Sequence, residues 1–144
     1  MSALSPYIYL VTPFITWLIT GICKFCVNSV RAKQLAMSQI GYGGFPSNHS
    51  AIVSSMAALI AFKHGLDHPA FGVALTLAFI VVMDANSLRM KIAQHAQHIN
   101  QLNQINQGPL LPPLRERIGH SKIEILGGIG MGILCALLMH NLTA

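Results

Sequence analysis

Residues 70–83 read AFGVALTLAFIVVM. Wound into a helix, this run has no polar face, and a helix of a water-soluble bundle needs one. The segment therefore predicts a helix in lipid. Working outward, Ile8 to Val27, Ser50 to Phe62 and Ile123 to Met139 are comparably apolar. Runs 50–62 and 70–83 fall short of the ~20 residues that cross a hydrocarbon core, so these helices must borrow residues from their flanks. Composition agrees: 53% of the 144 residues are hydrophobic and 9% charged, with a positive mean hydropathy, which a single soluble domain rarely shows; a soluble four-helix domain, the alternative, would need polar outer faces. The first run lacks a basic leader and carries Pro13 and Trp17, so it reads as a mature helix rather than a signal peptide. Cys23, Cys26 and Cys135 fall in apolar runs and read as buried thiols, not as a disulfide or zinc framework.

The nine basic residues are distributed unevenly. If successive helices alternate in direction, Lys24, Arg31, Lys33, Arg89, Lys91, Arg115, Arg117 and Lys122 gather at one end and Lys63 alone stands at the other. The positive-inside rule makes the charged end cytoplasmic, although cations belonging to an anion site would cluster in the same way. Between the third and fourth apolar runs, Leu88, Ile92, Ala96, Ile99 and Leu102 recur at helical spacing among Gln, Asn and His over 87–107. An amphipathic helix at the membrane surface is expected there. His95 and His98 read as solvated polar-face residues, since no carboxylate or thiolate nearby completes a metal set. Gly108, Pro109, Pro112 and Pro113 end that helix. The fold expected is all-α: a multi-pass membrane helical bundle of about four spanning helices and one amphipathic surface helix, forming a single membrane domain over 1–144.

Two constellations carry chemistry. Gly43 and Gly44 lead through Phe45 and Pro46 to Ser47, Asn48, His49 and Ser50 at the start of the second helix. Converging amides at a helix N-terminus make an anion cradle; a plain cap by Ser47 or Asn48 is the alternative, and His49 at the same place favours the cradle. The second is Gly119, His120, Ser121, Lys122, Ile123 and Glu124. His120 and Glu124, four apart, share a helical face, where a carboxylate can fix the imidazole tautomer and support its cation; an ordinary helix contact is the alternative. Of four acidic residues, Asp84 and Glu124 border or enter apolar runs, where ionisable groups are costly. Asp84 and Arg89, five apart, point ~140° away from each other on an ideal helix, so no pair between them is expected within one helix; Asp84 pairs with a cation of another helix or occupies the site itself. Gly127, Gly128, Gly130 and Gly132 read as a close-packing face.

These residues resemble the type 2 phosphatidic acid phosphatases, relatives of the vanadium haloperoxidases. The family's first motif, Lys, six residues, Arg, Pro, is matched by Lys24 and Arg31, with Ala32 in place of the proline. Its second, Pro, Ser, Gly, His, is matched by Pro46, Ser47, Asn48 and His49. Its third, Ser, Arg, five residues, His, three residues, Asp, is matched by His120 and Glu124, with Arg115 one residue too close and Arg117 closer still. The glycines before Pro46, Asp84 with Arg89, and Gly119 with His120 look more like the shorter, divergent branch, whose members are labelled acid phosphatase or vanadium-dependent haloperoxidase related.

The resemblance implies a membrane phosphatase acting on a lipid phosphate or a polyprenyl (di)phosphate through a phosphohistidine. His120 would be the nucleophile, His49 the acid and Glu124 the residue that orients His120. Lys24, Arg31, Gly44, Ser47, Asn48 and one of Arg115 or Arg117 would hold the phosphate, with Asp84 and Arg89 as additional site residues. No metal or other cofactor is expected, since no acidic cluster suits magnesium. Expected partners are the lipid phosphate and membrane lipids, not nucleic acid; a homo-oligomer is left open. The departures at Ala32, Asn48 and the third-motif arginine support the alternative of a non-catalytic lipid-phosphate binding or transport protein. A purely structural subunit would explain neither His49 nor Glu124.

Overall fold

The computed structural model describes residues 5–33, 44–105, 112–116 and 118–143. A 3-10 turn, Ser5–Tyr7, leads into α1 (Ile8–Ala32), followed by α2 (Asn48–His64), α3 (Pro69–Asn86), α4 (Leu88–Ile105) and α5 (Lys122–Leu142). Among the described residues, α1, α5 and the α3–α4 run contain helix long and apolar enough to cross a membrane. α2, with 17 residues, is about 26 Å long. The chain is an all-α integral membrane bundle.

Packing follows the size of the side chains. α2 is rich in small residues and lies among α1, α3 and α5, so Ser50, Ala51, Ser54, Ser55 and Ala57 are all buried. α5 runs parallel to α2: the Ser47 N–H donates to the Glu124 carbonyl at one end, 2.9 Å, and Lys63 Nζ donates to the Thr143 carbonyl at the other, 3.1 Å. Their contact has glycine on one side. A Cβ at Gly128 would collide with the Ser47 carbonyl, and one at Gly132 with the Ala51 carbonyl and, at 2.9 Å, the Ser55 nitrogen. Gly127 receives the Phe45 ring, whereas nothing lies within 4 Å of a Cβ at Gly130. The expected packing face therefore holds at three of its four glycines; Gly130, two residues from both Gly128 and Gly132, is turned to the outside of the helix.

α1 runs antiparallel to α2 and turns Thr12, Thr16 and Thr20, spaced by four, inward. Phe14, Trp17, Leu18 and Ile22 of α1 and Val73, Leu77 and Phe79 of α3 face outward, as lipid-facing residues do. On α4 the buried residues are Ala93, Ala96 and Asn100. Asn100 fastens the following segment: its Nδ2 donates to the Leu114 carbonyl and its Oδ1 accepts the Leu114 N–H, at 2.8 and 2.7 Å. The apolar stripe of Leu88, Ile92, Ile99 and Leu102 stays exposed, available to lipid.

The C-terminus of α3 and the N-termini of α2 and α5 share one end of the bundle. In a cysteine-free background, Asn86→Cys and Lys122→Cys should react with an impermeant thiol reagent from the same membrane face, and Asp67→Cys from the other. Labelling of positions 86 and 122 from opposite faces would rule out a common site.

Candidate functional site

Residues 44–47, which lead into α2, are closely packed. Gly44 has φ +147, a region that favours glycine, and a Cβ there would lie 2.9 Å from Asn28 Oδ1. Ser47 is wholly buried: its N–H is spent on Glu124, and its Oγ accepts from the Ser50 N–H at 3.4 Å and the Ser50 hydroxyl at 3.1 Å. Ser47 is thus the cap, and anion-binding capacity passes to the amides of Asn48 and His49, which have no i−4 partner in the helix. Asn48, where the family motif has glycine, directs its Nδ2 toward Gly21 of α1, 3.8 Å from where a Cβ would stand.

His120 is 6% exposed and fixed from three directions. Its backbone N–H donates to the Ala85 carbonyl, 3.2 Å. Gly119, at φ +106, brings the chain against Met90, whose nitrogen would lie 3.3 Å from a Cβ at 119. Ser121 and Glu124 form a capping box at the start of α5, in which Ser121 N–H donates to Glu124 Oε2 at 2.9 Å. The same Oε2 lies 3.4 Å from His120 Nδ1, an ion-pair distance at which Nδ1 makes no hydrogen bond. Glu124 therefore both caps the helix and backs the imidazole. The His49 ring stands opposite, exposed, its centroid 6.1 Å from that of His120 and tilted by 51°.

Charge converges on this pair. His49 lies in the field of Arg89, His120, Lys24 and Asp84, and His120 in that of Lys24, Glu124 and Arg89. Burial first, then the Lys24 cation, holds the His120 pKa below the ordinary histidine value, with Glu124 pulling the other way. The lowered pKa favours the neutral ring, the form in which an imidazole is a nucleophile. Glu124→Gln removes the opposing charge, so the pKa of His120 should fall further; NMR titration of the ring measures the direction, and a rise would show that Glu124 does not act on His120.

A cleft of about 530 Å³ lies beside His120, between one face of α4 (Met90, Ala93, Gln94, Gln97) and residues 118–122. Among the described residues no group of three His, Cys, Asp or Glu side chains is placed to hold a metal ion.

The structure brings Lys24, His49, Asp84, Arg89, His120 and Glu124 together. Arg31 is exposed in the last turn of α1, on the Lys24 face but two turns beyond it, and Arg115 is exposed in the 112–116 segment. Lys24 and Arg89 are among the charges that act on both histidines. Gly43, Gly108, Pro109 and Arg117 lie outside the described residues.

One sequence expectation is corrected. Asp84 Oδ2 accepts from Arg89 Nε at 3.1 Å. The ideal-helix angle fails because the helix is interrupted at Ser87, whose hydroxyl donates to the Met83 carbonyl at 2.7 Å, a back-bond that bends helices. Asp84, in the last turn of α3, thus pairs with a cation of α4. The interruption also leaves the Ala85 carbonyl to His120, a backbone contact with no signal in the sequence.

The family model described as "Divergent PAP2 family" matches residues 7–135. The uncharacterized membrane protein YuiD of Bacillus subtilis (strain 168) is 28% identical over 133 residues, covering 82% of this chain and 84% of YuiD. No solved structure matches the chain.

Proposed function

The chain belongs to the divergent PAP2 family, and from that premise we propose that it is a membrane phosphatase that hydrolyses a lipid phosphate or polyprenyl (di)phosphate through a phosphohistidine. The observation that carries this reading is the opposition of two imidazoles, His49 and His120, at 6.1 Å, beside Lys24 and with Glu124 behind His120. Such an arrangement suits phosphoryl transfer, which needs positioning and charge stabilisation more than covalent help from the protein.

Phosphorus sits between the rings. Because Nδ1 faces Glu124, Nε2 of His120 attacks; the P–N bond forms as the P–O bond to the leaving group breaks, and His49 gives its proton to the departing oxygen. Water then attacks the phosphohistidine, His49 takes the water's proton, and the P–N bond breaks to release phosphate and restore both histidines. Lys24 and the amides of Asn48 and His49 neutralise the phosphoryl oxygens. A lipid substrate suits this site because α1 and α3, next to it, present exposed apolar side chains along which a hydrocarbon tail can lie. The gathering of cations at this end favours a cytoplasmic orientation.

Detergent-solubilised protein should release inorganic phosphate from a phosphatidate or polyprenyl phosphate in the presence of EDTA, and vanadate should inhibit competitively. Activity lost in chelator and regained with magnesium would contradict this mechanism. Tight phosphate binding without release would favour the lipid-phosphate carrier.

A further inference from the structure

We propose that Arg89 is the phosphate-binding arginine of this site and that Asp84 is the positioning residue that holds it. The inference deepens the phosphatase reading and rests on it only in taking the anion to be a phosphoryl group.

Three observations carry it. The first is location: Arg89 opens α4 at the junction with α3, beside Gly119, and its charge acts on both His49 and His120, whereas Arg115 is exposed in the 112–116 segment. The second is fixation. The α3–α4 junction that carries Arg89 is bonded to the backbone of His120 through Ala85, and Gly119 packs on the Arg89 carbonyl carbon, 3.4 Å from where a Cβ would stand. Cation and nucleophile therefore keep a fixed relation, as a preorganised site requires. The third is the free edge of the guanidinium. Asp84 occupies Nε only, and among the described residues the two terminal nitrogens make no hydrogen bond, which leaves the fork that binds phosphate oxygens in pairs.

The pair itself is poorly explained as a stabilising contact. Its side chains are 34% and 36% exposed, and pairs so open to solvent contribute little to stability. A carboxylate accepting from Nε does, however, fix the guanidinium plane and leave its terminal edge open. An asparagine would keep that acceptor, and an alanine would not.

Orthovanadate binding to the full-length, detergent-solubilised protein tests this, with melting temperature followed in parallel. Arg89→Ala should weaken vanadate binding about ten- to a hundred-fold, the range for a charge-assisted hydrogen-bonding group, with Arg89→Lys intermediate and Lys91→Ala unchanged. Asp84→Ala should weaken binding and Asp84→Asn restore it; a merely structural role would lower the melting temperature of both Asp84 variants without this split in affinity. If Arg89→Ala does not assemble, Arg89→Lys and Arg89→Gln carry the comparison. Wild-type affinity in folded Arg89 variants, or an equal loss in Arg115→Ala, overturns the inference. If the wild type releases phosphate while Arg89→Ala binds vanadate normally, this inference falls and the phosphatase reading stands. If the wild type releases none but binds vanadate through Arg89, the reverse holds.

Discussion

His120→Ala is expected to abolish phosphate release from every phosphomonoester, whereas His49→Ala should discriminate between leaving groups. The nucleophile is needed whatever departs, so its loss leaves no route through a phosphohistidine. The acid matters in proportion to the basicity of the leaving oxygen, and a positioned general acid contributes about 10²–10⁴-fold. His49→Ala should therefore lose activity in that range on an alkyl or prenyl phosphate and far less on an aryl phosphate whose anion is stable. Glu124→Gln keeps the shape behind His120 and removes the charge, placing it between the two. Steady-state rates of the three variants on one alkyl and one aryl phosphate are sufficient. A His120→Ala protein with wild-type rates on both would remove His120 from the chemistry.

The second large effect is expected far from any reacting atom. Gly132→Ala places a methyl group against the Ala51 carbonyl and the Ser55 nitrogen of α2; these are backbone atoms, so the helices themselves must separate. Overpacking of this kind costs about 1–3 kcal/mol. Because α2 carries His49 and α5 begins two residues after His120, the separation also misaligns the two rings, and a ~1 Å misplacement can cost a hundred-fold in rate. Gly130→Ala, with open space around it, should leave both melting temperature and phosphate release at wild-type levels. Equal behaviour of the two variants would show that α5 does not meet α2 through this face.

The bundle was legible because lipid imposes a simple demand: residues 70–83 have no polar face, and no soluble arrangement satisfies them. The gathering of Lys24, His49, Asp84 and His120 at one end followed from alternating helix directions and is what the helices display. What the sequence concealed depends on local departures from ideal geometry. An ideal unbroken helix turns Asp84 and Arg89 apart, and they meet where α3 gives way to α4 at Ser87. Ser47 reads equally as phosphate ligand and as cap; its Oγ caps α2 by accepting the Ser50 N–H, and its own N–H is taken by Glu124, more than 70 residues away in the chain. Gly130 reads like its neighbours because glycine spacing alone does not say which side of a helix meets a partner.

The most direct measurement is a rapid acid-free quench of the wild-type protein turning over a ³²P-labelled prenyl phosphate, followed by mapping of the label. The expected result is one acid-labile, base-stable phosphoryl group on His120, absent from His120→Ala and longer lived when His49 cannot activate water. Phosphate release without a labelled histidine, or label on any residue other than His120, would contradict a phosphohistidine mechanism at this site.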